Sequence, residues 1–341
     1  MMKAKIKPRI QLENREPLAE NIPLSTPWVI FVDPSDACNF RCKFCPSGNL
    51  KLLKKYGRTP TIMKLDLYEK IINQIKEFDK PIKVLRLYKD GEPLLNPSFP
   101  KMVKYAKNSG CCEKVDTTTN ASMLNPDLNL KIIEAGLDRI NISIEGVNEQ
   151  QYRDFSGYKI NFDKFVRNIE HFYDHRKDCE MIIKINGDLL SEEDKTKFFE
   201  IFGDITDGIF IEHVMNCWYD FDSEVKQNEE VGIYGQPIKE VMICPYVFYS
   251  MSVNSNGTVS VCFLDWARKM LIGDVYEEKL KEIWNGKNMN SYRKMFLFKL
   301  RKTHPICSKC SQLSHGMPVD LDDKSEEIIK RCKEIYELSD M

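Results

Sequence analysis

The segment DACNFRCKFCPSG, residues 36–48, contains three cysteines, Cys38, Cys42 and Cys45, in the spacing C-x3-C-x2-C. A structural zinc site usually takes four protein ligands, and a disulfide takes two. Three thiolates would hold a metal centre with one coordination position left open. The segment therefore predicts a metal centre to which a further molecule can bind.

The composition is that of an ordinary globular protein. The 341 residues suggest about two domains, and 42% are hydrophobic and 30% charged. The net charge of −1 argues against a nucleic-acid partner. The N-terminus lacks a secretory signal, and no apolar run approaches the ~20 residues of a membrane helix. We therefore expect a cytoplasmic protein without a membrane partner, whose twelve cysteines are ligands, catalytic thiols or buried residues.

Six β-branched runs alternate with helical patterns. They are WVIFVDP (28–34), KVLRLYKD (83–90), KVDTTTN (114–120), RINISIEG (139–146), EMIIKIN (180–186) and GIFIEHVM (208–215). This alternation predicts βαβ units and a parallel sheet. Since six units fall short of a closed eight-unit barrel, the predicted fold is α/β, a partial (β/α)6 parallel barrel.

Polar segments follow most of these strands. The cysteines follow the first strand, DGEP the second, TTTN and SIEG the third and fourth, and EHVMNCWYD the sixth. The carboxyl ends of parallel strands meet on one side of the sheet, so we expect these segments to converge there. Turn formation alone would explain TTTN and SIEG, but it does not explain three cysteines.

A second region begins after residue 220. Residues 221–243 are polar and without periodicity, and predict a linker. Residues 246–265 predict a hairpin with Asn256-Gly257 at its turn, followed by helical patterns. The predicted organisation is an N-terminal extension (1–27), a partial barrel (28–220), the linker (221–243) and a small α+β domain (244–341).

The motifs together resemble the radical S-adenosylmethionine (SAM) superfamily. The cysteine motif has Phe44 before its third cysteine, DGEPLLNP (90–97) resembles the family's GGEPLL element, and SIEG (143–146) resembles SIDG. The match spans roughly residues 28–215. The resemblance implies that three thiolates hold a [4Fe–4S] cluster whose open iron binds SAM. Reductive cleavage of SAM would then give a 5′-deoxyadenosyl radical that takes a hydrogen atom from the substrate.

The resemblance also implies contacts with SAM. Gly91 and Glu92 should meet its amino group, and Asn120 and Ser143 its ribose or carboxylate. Phe44, beside the cluster, can pack against the purine.

Two positions depart from the family pattern. Asp90 stands where the family has the first glycine of GGEP. Ser156 stands where relatives often have arginine, so we expect Arg153 to bind the SAM carboxylate. The alternative is that Arg153 and Ser156 are solvated surface residues.

Four later cysteines form a second set, namely Cys244, Cys262, Cys307 and Cys310. Gly257 gives the G-x4-C element of the SPASM/twitch extension. The spacing C-x17-C-x44-C-x2-C resembles that of twitch-bearing dehydrogenases that oxidise a sugar-like alcohol. The resemblance implies one auxiliary [4Fe–4S] cluster. Four thiolates also suit structural zinc, which stays the alternative here.

The substrate is predicted to be small, or a peptide that a separate protein delivers. Only 27 residues precede the first strand, too few for the peptide-recognition domain of peptide-modifying relatives. The segment FIEHVMNCWYD (210–220) offers Glu212 and His213 as catalytic groups and Cys217 as a hydrogen-atom donor. A core histidine and a buried thiol are the alternatives for the last two.

The leading functional hypothesis is oxidation of a secondary alcohol on a sugar or aminocyclitol, with a flavodoxin- or ferredoxin-type electron donor. Peptide maturation by thioether formation or epimerisation is the alternative within the family. A non-catalytic iron–sulfur electron carrier or zinc-stabilised binding protein is the alternative outside it, although neither class needs SAM-binding elements such as DGEP.

The two cysteine sets predict about eight irons per chain after anaerobic reconstitution, as two [4Fe–4S] clusters. Replacing Cys38, Cys42 and Cys45 with alanine should leave about four, because the second set is separate. Iron and sulfide assays measure both values. Stoichiometric zinc at the second set after anaerobic purification would contradict the auxiliary cluster.

Overall fold

The computed structural model describes residues 2–10, 15–316 and 318–338. Its strands are β1 (Lys5–Ile6), β2 (Val29–Val32), β3 (Ile82–Arg86), β4 (Cys112–Thr119), β5 (Arg139–Ile144), β6 (Glu180–Asn186), β7 (Gly208–Glu212), β8 (Ser250–Val253), β9 (Thr258–Ser260) and β10 (Leu271–Asp274). They form one sheet in the order β1-β7-β6-β5-β4-β3-β2-β8-β9-β10. All pairs from β1 to β8 are parallel, and the last two are antiparallel.

The six predicted strands are β2 to β7, so the predicted α/β fold with a parallel sheet is confirmed. The α-helices are α1 (Leu18–Asn21), α2 (Leu50–Lys55), α3 (Leu65–Ile75), α4 (Phe99–Ser109), α5 (Pro126–Glu134), α6 (Glu149–Ser156), α7 (Phe162–His175), α8 (Glu192–Phe202), α9 (Tyr246–Tyr249), α10 (Leu280–Asn285), α11 (Lys287–Leu297), α12 (Gln312–His315) and α13 (Ser325–Cys332). Within the described residues, no helix has the length and apolar character needed to cross a membrane.

The two faces of the sheet differ in chemistry. On β5, Ile140, Ile142 and Ile144 belong to the main hydrophobic core with residues of the surrounding helices. Because side chains alternate along a strand, Arg139 and Asn141 lie on the opposite face, here called the interior face. The interior face is polar, and the sequence signal for it is this alternation.

The N-terminal extension contributes a strand that the sequence analysis missed. Lys5 and Ile6 pair in parallel with Gly208 and Ile209 of β7. Two exposed residues give too short a pattern to predict a strand.

The C-terminal region continues the barrel sheet. β8 pairs in parallel with β2 along its whole length, and β9 turns back against β8. The hairpin turn at Asn256-Gly257 is confirmed, with Gly257 at φ 93°. Residues 246–249 were expected to extend the hairpin but form α9, so that expectation was wrong. The sheet therefore runs through both regions, and the domain boundaries stay predictions.

Trp284 anchors the C-terminal helices to the N-terminal extension. Its side chain is fully buried, and Nε1 donates a hydrogen bond of 2.8 Å to the carbonyl oxygen of Leu24. The guanidinium carbon of Arg293 lies 4.2 Å from the ring centroid. The hydrogen bond between Trp284 and Leu24 joins segments separated by 260 residues.

Replacing Trp284 with alanine should lower the free energy of unfolding by about 3–5 kcal/mol, since it opens a large cavity. Urea denaturation of the apoprotein measures this. Tyr276→Ala is the control, because Tyr276 is 57% exposed, and should change stability by about 0.5 kcal/mol or less. Equal effects of the two variants would contradict the anchoring role.

Candidate active site

The first set of thiols lies in the loop after β2, residues 36–48, called the cysteine loop below. Cys38, Cys42, Cys45 and the intervening Phe44 are half-buried there. The three thiols lie within electrostatic reach of one another. Burial, reinforced by the charge of Glu92, raises the pKa of Cys38 to about 12.

The end of α6 holds the cysteine loop in place. The backbone N–H of Arg41 donates to the carbonyl oxygen of Ser156 at 2.7 Å, and that of Lys43 to Phe155 at 3.1 Å. Ser156 is fully buried, and its hydroxyl donates to the carbonyl oxygen of Tyr152 at 2.7 Å. The alternative of a solvated Ser156 was therefore wrong.

Gly91, in the loop after β3, packs directly against the backbone at the start of the cysteine loop. A Cβ there would overlap the carbonyl oxygens of Ser35 and Ala37, and would lie 2.6 Å from the carbonyl carbon of Asp36. Only glycine fits such a contact. The N–H of Glu92 then donates to the carbonyl oxygen of Ala37 at 2.9 Å.

The Glu92 side chain joins the end of β3 to the end of β4. Asn120, which follows β4, links that strand end to the cysteine loop. The buried carboxylate accepts from the Leu94 N–H at 3.0 Å, the Thr119 hydroxyl at 2.5 Å and the Asn120 N–H at 2.7 Å. Asn120 Nδ2 in turn donates to Asn39 Oδ1 in the cysteine loop at 2.9 Å. These bonds position the loops that face the thiols, and the predicted contacts of Glu92 and Asn120 with SAM stay predictions.

The SIEG segment brings a carboxyl group to the cysteine loop. Ser143 is half-buried on the interior face. Glu145, which was not predicted from the sequence, lies within electrostatic reach of the Cys42 thiol. Burial raises the pKa of Glu145 to about 7, although the positive charge of Lys184 opposes the shift. The available signal was its position, where the family motif SIDG has aspartate.

Glu212 occupies the interior face at the end of β7. Its side chain is 3% exposed and pairs with Arg9 Nε at 3.1 Å and Lys184 Nζ at 2.9 Å. Burial opposes ionisation, yet these cations hold the pKa of Glu212 below its usual value. The carboxylate is therefore charged at neutral pH. Arg9 follows β1 and was missed, because no local pattern predicts a contact 203 residues away.

A second polar group lies deeper on the interior face. Asp116 and Asn141 are buried, and Arg86 Nε lies 3.5 Å from Asp116 Oδ2. Asn141 Nδ2 donates to the carbonyl oxygen of Thr117 at 3.1 Å. Asp116 Oδ1, Asn141 Oδ1 and the Thr118 hydroxyl have no hydrogen-bond partner within the described part of the chain.

Two of the predicted site residues, Arg153 and His213, are not brought together with the polar groups of the interior face. Arg153 is exposed on α6, where its Nη2 donates to Gln150 Oε1 at 2.8 Å. His213 turns its Nδ1 toward Asp188 Oδ1, at 2.6 Å. Their roles in SAM binding and catalysis stay predictions.

The second set of thiols surrounds one cavity of about 50 Å³, whereas about 10–15 Å³ is enough for one water molecule. Its walls include Cys244, Cys262, Cys307 and Cys310 together with Cys217. Most of the other lining side chains are apolar, among them Val247, Val261, Met270, Phe296 and Leu313.

Arg301 shapes the C-x2-C turn of this set. Its Nε donates to the carbonyl oxygen of Cys307 at 3.0 Å and its Nη2 to that of Cys310 at 2.6 Å. The remaining nitrogen, Nη1, donates to the carbonyl oxygen of Val241 at 3.0 Å. Arg301 was not predicted from the sequence, because an isolated arginine carries no motif.

Cys217 lines the cavity of the second set and lies within electrostatic reach of the cysteine loop. It is buried, and its electrostatic neighbours include Cys310 of the second set and Cys45 of the cysteine loop. Burial, then the charge of Cys310, raises the pKa of Cys217. Its predicted role as hydrogen-atom donor stays a prediction.

Both sets fit iron–sulfur clusters by their donor chemistry, since soft thiolates are the ligands such clusters take. No three His, Cys, Asp or Glu side chains in the described ranges converge closely enough to bind a single metal ion. In the second set the thiols instead line a cavity, and in the first they lie within electrostatic reach of one another on the loop that Gly91 contacts.

Replacing Gly91 with alanine should abolish SAM binding and 5′-deoxyadenosine formation, because the added methyl group displaces the cysteine loop. Gly235→Ala is the control: Gly235 has a φ of +79°, so alanine strains the local turn there, but its Cβ would have no neighbour within 4 Å. Equilibrium dialysis with SAM and chromatography of 5′-deoxyadenosine are the measurements. Retained SAM binding in Gly91→Ala would contradict the close contact.

Two family models match this chain in sequence order. The radical SAM superfamily model matches residues 32–201, and that of the SPASM iron-sulfur cluster-binding domain matches residues 244–311. The AdoMet-dependent heme synthase of Methanosarcina barkeri is 23% identical over 326 residues, covering 84% of this chain and 88% of that protein.

Solved structures show the same fold. BtrN in complex with AdoMet and 2-DOIA aligns with a TM-score of 0.54 at 18% identity, covering 83% of this chain and 92% of that one. Streptococcus suis SuiB bound to the precursor peptide SuiA aligns with a TM-score of 0.57 at 15% identity, covering 81% and 69%. The chain therefore belongs to the radical SAM superfamily and carries a C-terminal SPASM domain, and its cofactors are SAM, a SAM-binding [4Fe–4S] cluster and an auxiliary cluster.

Proposed function

We propose that this enzyme oxidises a secondary alcohol of a small hydroxylated compound, such as a sugar or aminocyclitol, to a ketone. The observation that carries the proposal is the group of four cysteines of the second set around one cavity. Four thiolate ligands would leave the auxiliary cluster no open iron. It would then accept an electron and would not bind substrate.

The interior face supports a substrate rich in hydroxyl groups. Asp116 Oδ1 and Asn141 Oδ1 are buried acceptors without a partner in the described residues. A buried acceptor without a donor is costly, so a donor from water or from a bound molecule is expected there. Substrate hydroxyl groups supply such donors.

The cofactors supply two functions: SAM, cleaved reductively, supplies the species that takes a hydrogen atom from the carbinol carbon, and the auxiliary cluster supplies an electron acceptor. Loss of that hydrogen atom leaves a carbon radical bearing the hydroxyl group. Release of the hydroxyl proton and transfer of one electron then form the C=O bond. The overall substrate change is the loss of two hydrogen atoms.

Glu212 is the proposed acceptor of the hydroxyl proton. Its carboxylate is charged, lies on the interior face and is held by Arg9 and Lys184. The two cations fix its orientation toward the interior. Oxidation needs no hydrogen-atom donor, so donation by Cys217 belongs to the epimerase alternative.

Aromatic side chains connect the interior face with the auxiliary site. The ring of Phe263, next to Cys262, stacks on Phe31 with centroids 4.8 Å apart. Phe31 also contacts Tyr88, with centroids 5.7 Å apart, at the end of the β3 segment. This packing supports the proposed electron transfer, because it places aromatic side chains in contact with one another from the interior face to the neighbour of Cys262.

The proposal predicts one SAM consumed per substrate oxidised and a product two hydrogens lighter. Replacing Cys307 and Cys310 with alanine should stop ketone formation while SAM cleavage continues uncoupled. Cys179→Ala is the matched control, because Cys179 is buried outside both sets of thiols. Mass spectrometry of products from a panel of sugars and aminocyclitols, with parallel 5′-deoxyadenosine assays, tests these outcomes.

A product isomeric with its substrate, formed at an undiminished rate by the Cys307/Cys310 variant, would replace oxidation by epimerisation or rearrangement. SAM cleavage stimulated by peptides but by no member of the panel would favour peptide maturation, the class of substrate found with SuiB.

A further inference from the structure

Asp90 occupies the position of the first glycine in the family's GGEP element, and its side chain is fully buried. A buried carboxylate needs compensating charge. Asp90 Oδ2 lies 2.8 Å from Lys89 Nζ and 3.2 Å from Arg58 Nη2, and the side chains of both cations are at most 4% exposed. The departure from glycine therefore comes with two partners in this same chain.

Both cations also bond the C-terminal region. Lys89 Nζ donates to the carbonyl oxygen of Asp265 at 3.2 Å, and Arg58 Nη1 donates to that of Trp266. These carbonyl groups follow Cys262, a thiol of the second set, by three and four residues. Asp90 thus pairs with two cations that hydrogen-bond residues 265 and 266, beside the auxiliary site.

The same network reaches the cysteine loop through Asp36. Its buried Oδ2 accepts from Arg58 Nη2 at 2.9 Å and from Arg268 Nη2, in the C-terminal region, at 2.6 Å. Asp36 precedes Cys38 by two residues. Asp36 and Asp90 together pair with three cations, Arg58, Lys89 and Arg268. Asp33 adjoins them, since its Oδ2 accepts from the Asp90 N–H at 3.4 Å.

We propose that Asp90 is a positioning residue that fixes the SAM-binding cluster and the auxiliary cluster relative to each other. It does so by locking the cysteine loop and the segment 265–268 onto one buried ionic network. The position of Asp90 is tightly constrained because Gly91, the next residue, packs directly on the cysteine-loop backbone. The proposal goes beyond the function proposed above and does not depend on the substrate.

The test is the magnetic interaction between the two reduced clusters in the reconstituted holoenzyme. Dipolar coupling between paramagnetic centres depends on their distance and orientation, and electron paramagnetic resonance measures it. Asp90→Asn removes the charge and Asp90→Gly restores the motif residue. Both should keep about eight irons per chain but change or lose the interaction signal of the wild type.

Asp138→Asn is the matched control. Asp138 pairs with Lys107 at 2.7 Å, also between two chain segments, but outside the network described above. It should leave the interaction signal unchanged. In a Cys38/Cys42/Cys45→Ala background, Asp90→Asn should leave the spectrum of the remaining cluster unchanged, which separates positioning from damage to the cluster itself.

An interaction signal identical to wild type in Asp90→Asn and Asp90→Gly would overturn the proposal. If these two variants lose iron, Arg268→Lys decides, because it keeps the charge but loses the planar geometry of the guanidinium. It should change the interaction signal with full iron content, and an unchanged signal would overturn the proposal equally.

Discussion

The contact between Gly91 and the cysteine loop is the constraint on which the site depends. Backbone meets backbone there, with no room for a side chain at Gly91. The adjacent hydrogen bond from Glu92 to Ala37 and the bonds of the Glu92 carboxylate extend the contact to β4. The ends of β2, β3 and β4 are thus held together next to the three thiols. A cluster with one open iron requires such an arrangement.

The two faces of the sheet differ in the charged side chains that they carry. The outer face of the sheet buries aliphatic side chains against helices, whereas the interior face carries paired charges such as Glu212 with Arg9 and Lys184. Buried pairs of this kind add little net stability, because desolvation offsets attraction. Their presence on the interior face supplies the charged groups that a site for polar chemistry needs. The auxiliary cavity differs, since apolar side chains surround its thiols.

The sequence was sufficient for what local patterns specify. The strands β2 to β7, the turn at Gly257 and both cysteine sets follow from alternation, turn chemistry and spacing. It was insufficient for contacts between distant segments. Arg301 on the C-x2-C turn, Arg9 beside Glu212 and the partners of Asp90 each depend on tertiary packing. Glu145 was accessible in principle, because it lies within a motif that had been selected for Ser143.

Segments outside the six strand–helix units complete the walls of the interior. Arg9 comes from the N-terminal segment, and Phe263, which stacks on Phe31, comes from the C-terminal region. Even the predicted linker contributes, since Tyr234 packs edge-on against Phe210 of β7 and lies within electrostatic reach of Arg9. A partial barrel leaves its interior open at the sides, so side chains from these three segments are needed to shield a reactive intermediate from water. The selectivity of the site therefore depends on the whole chain and cannot be inferred from the radical SAM motifs alone.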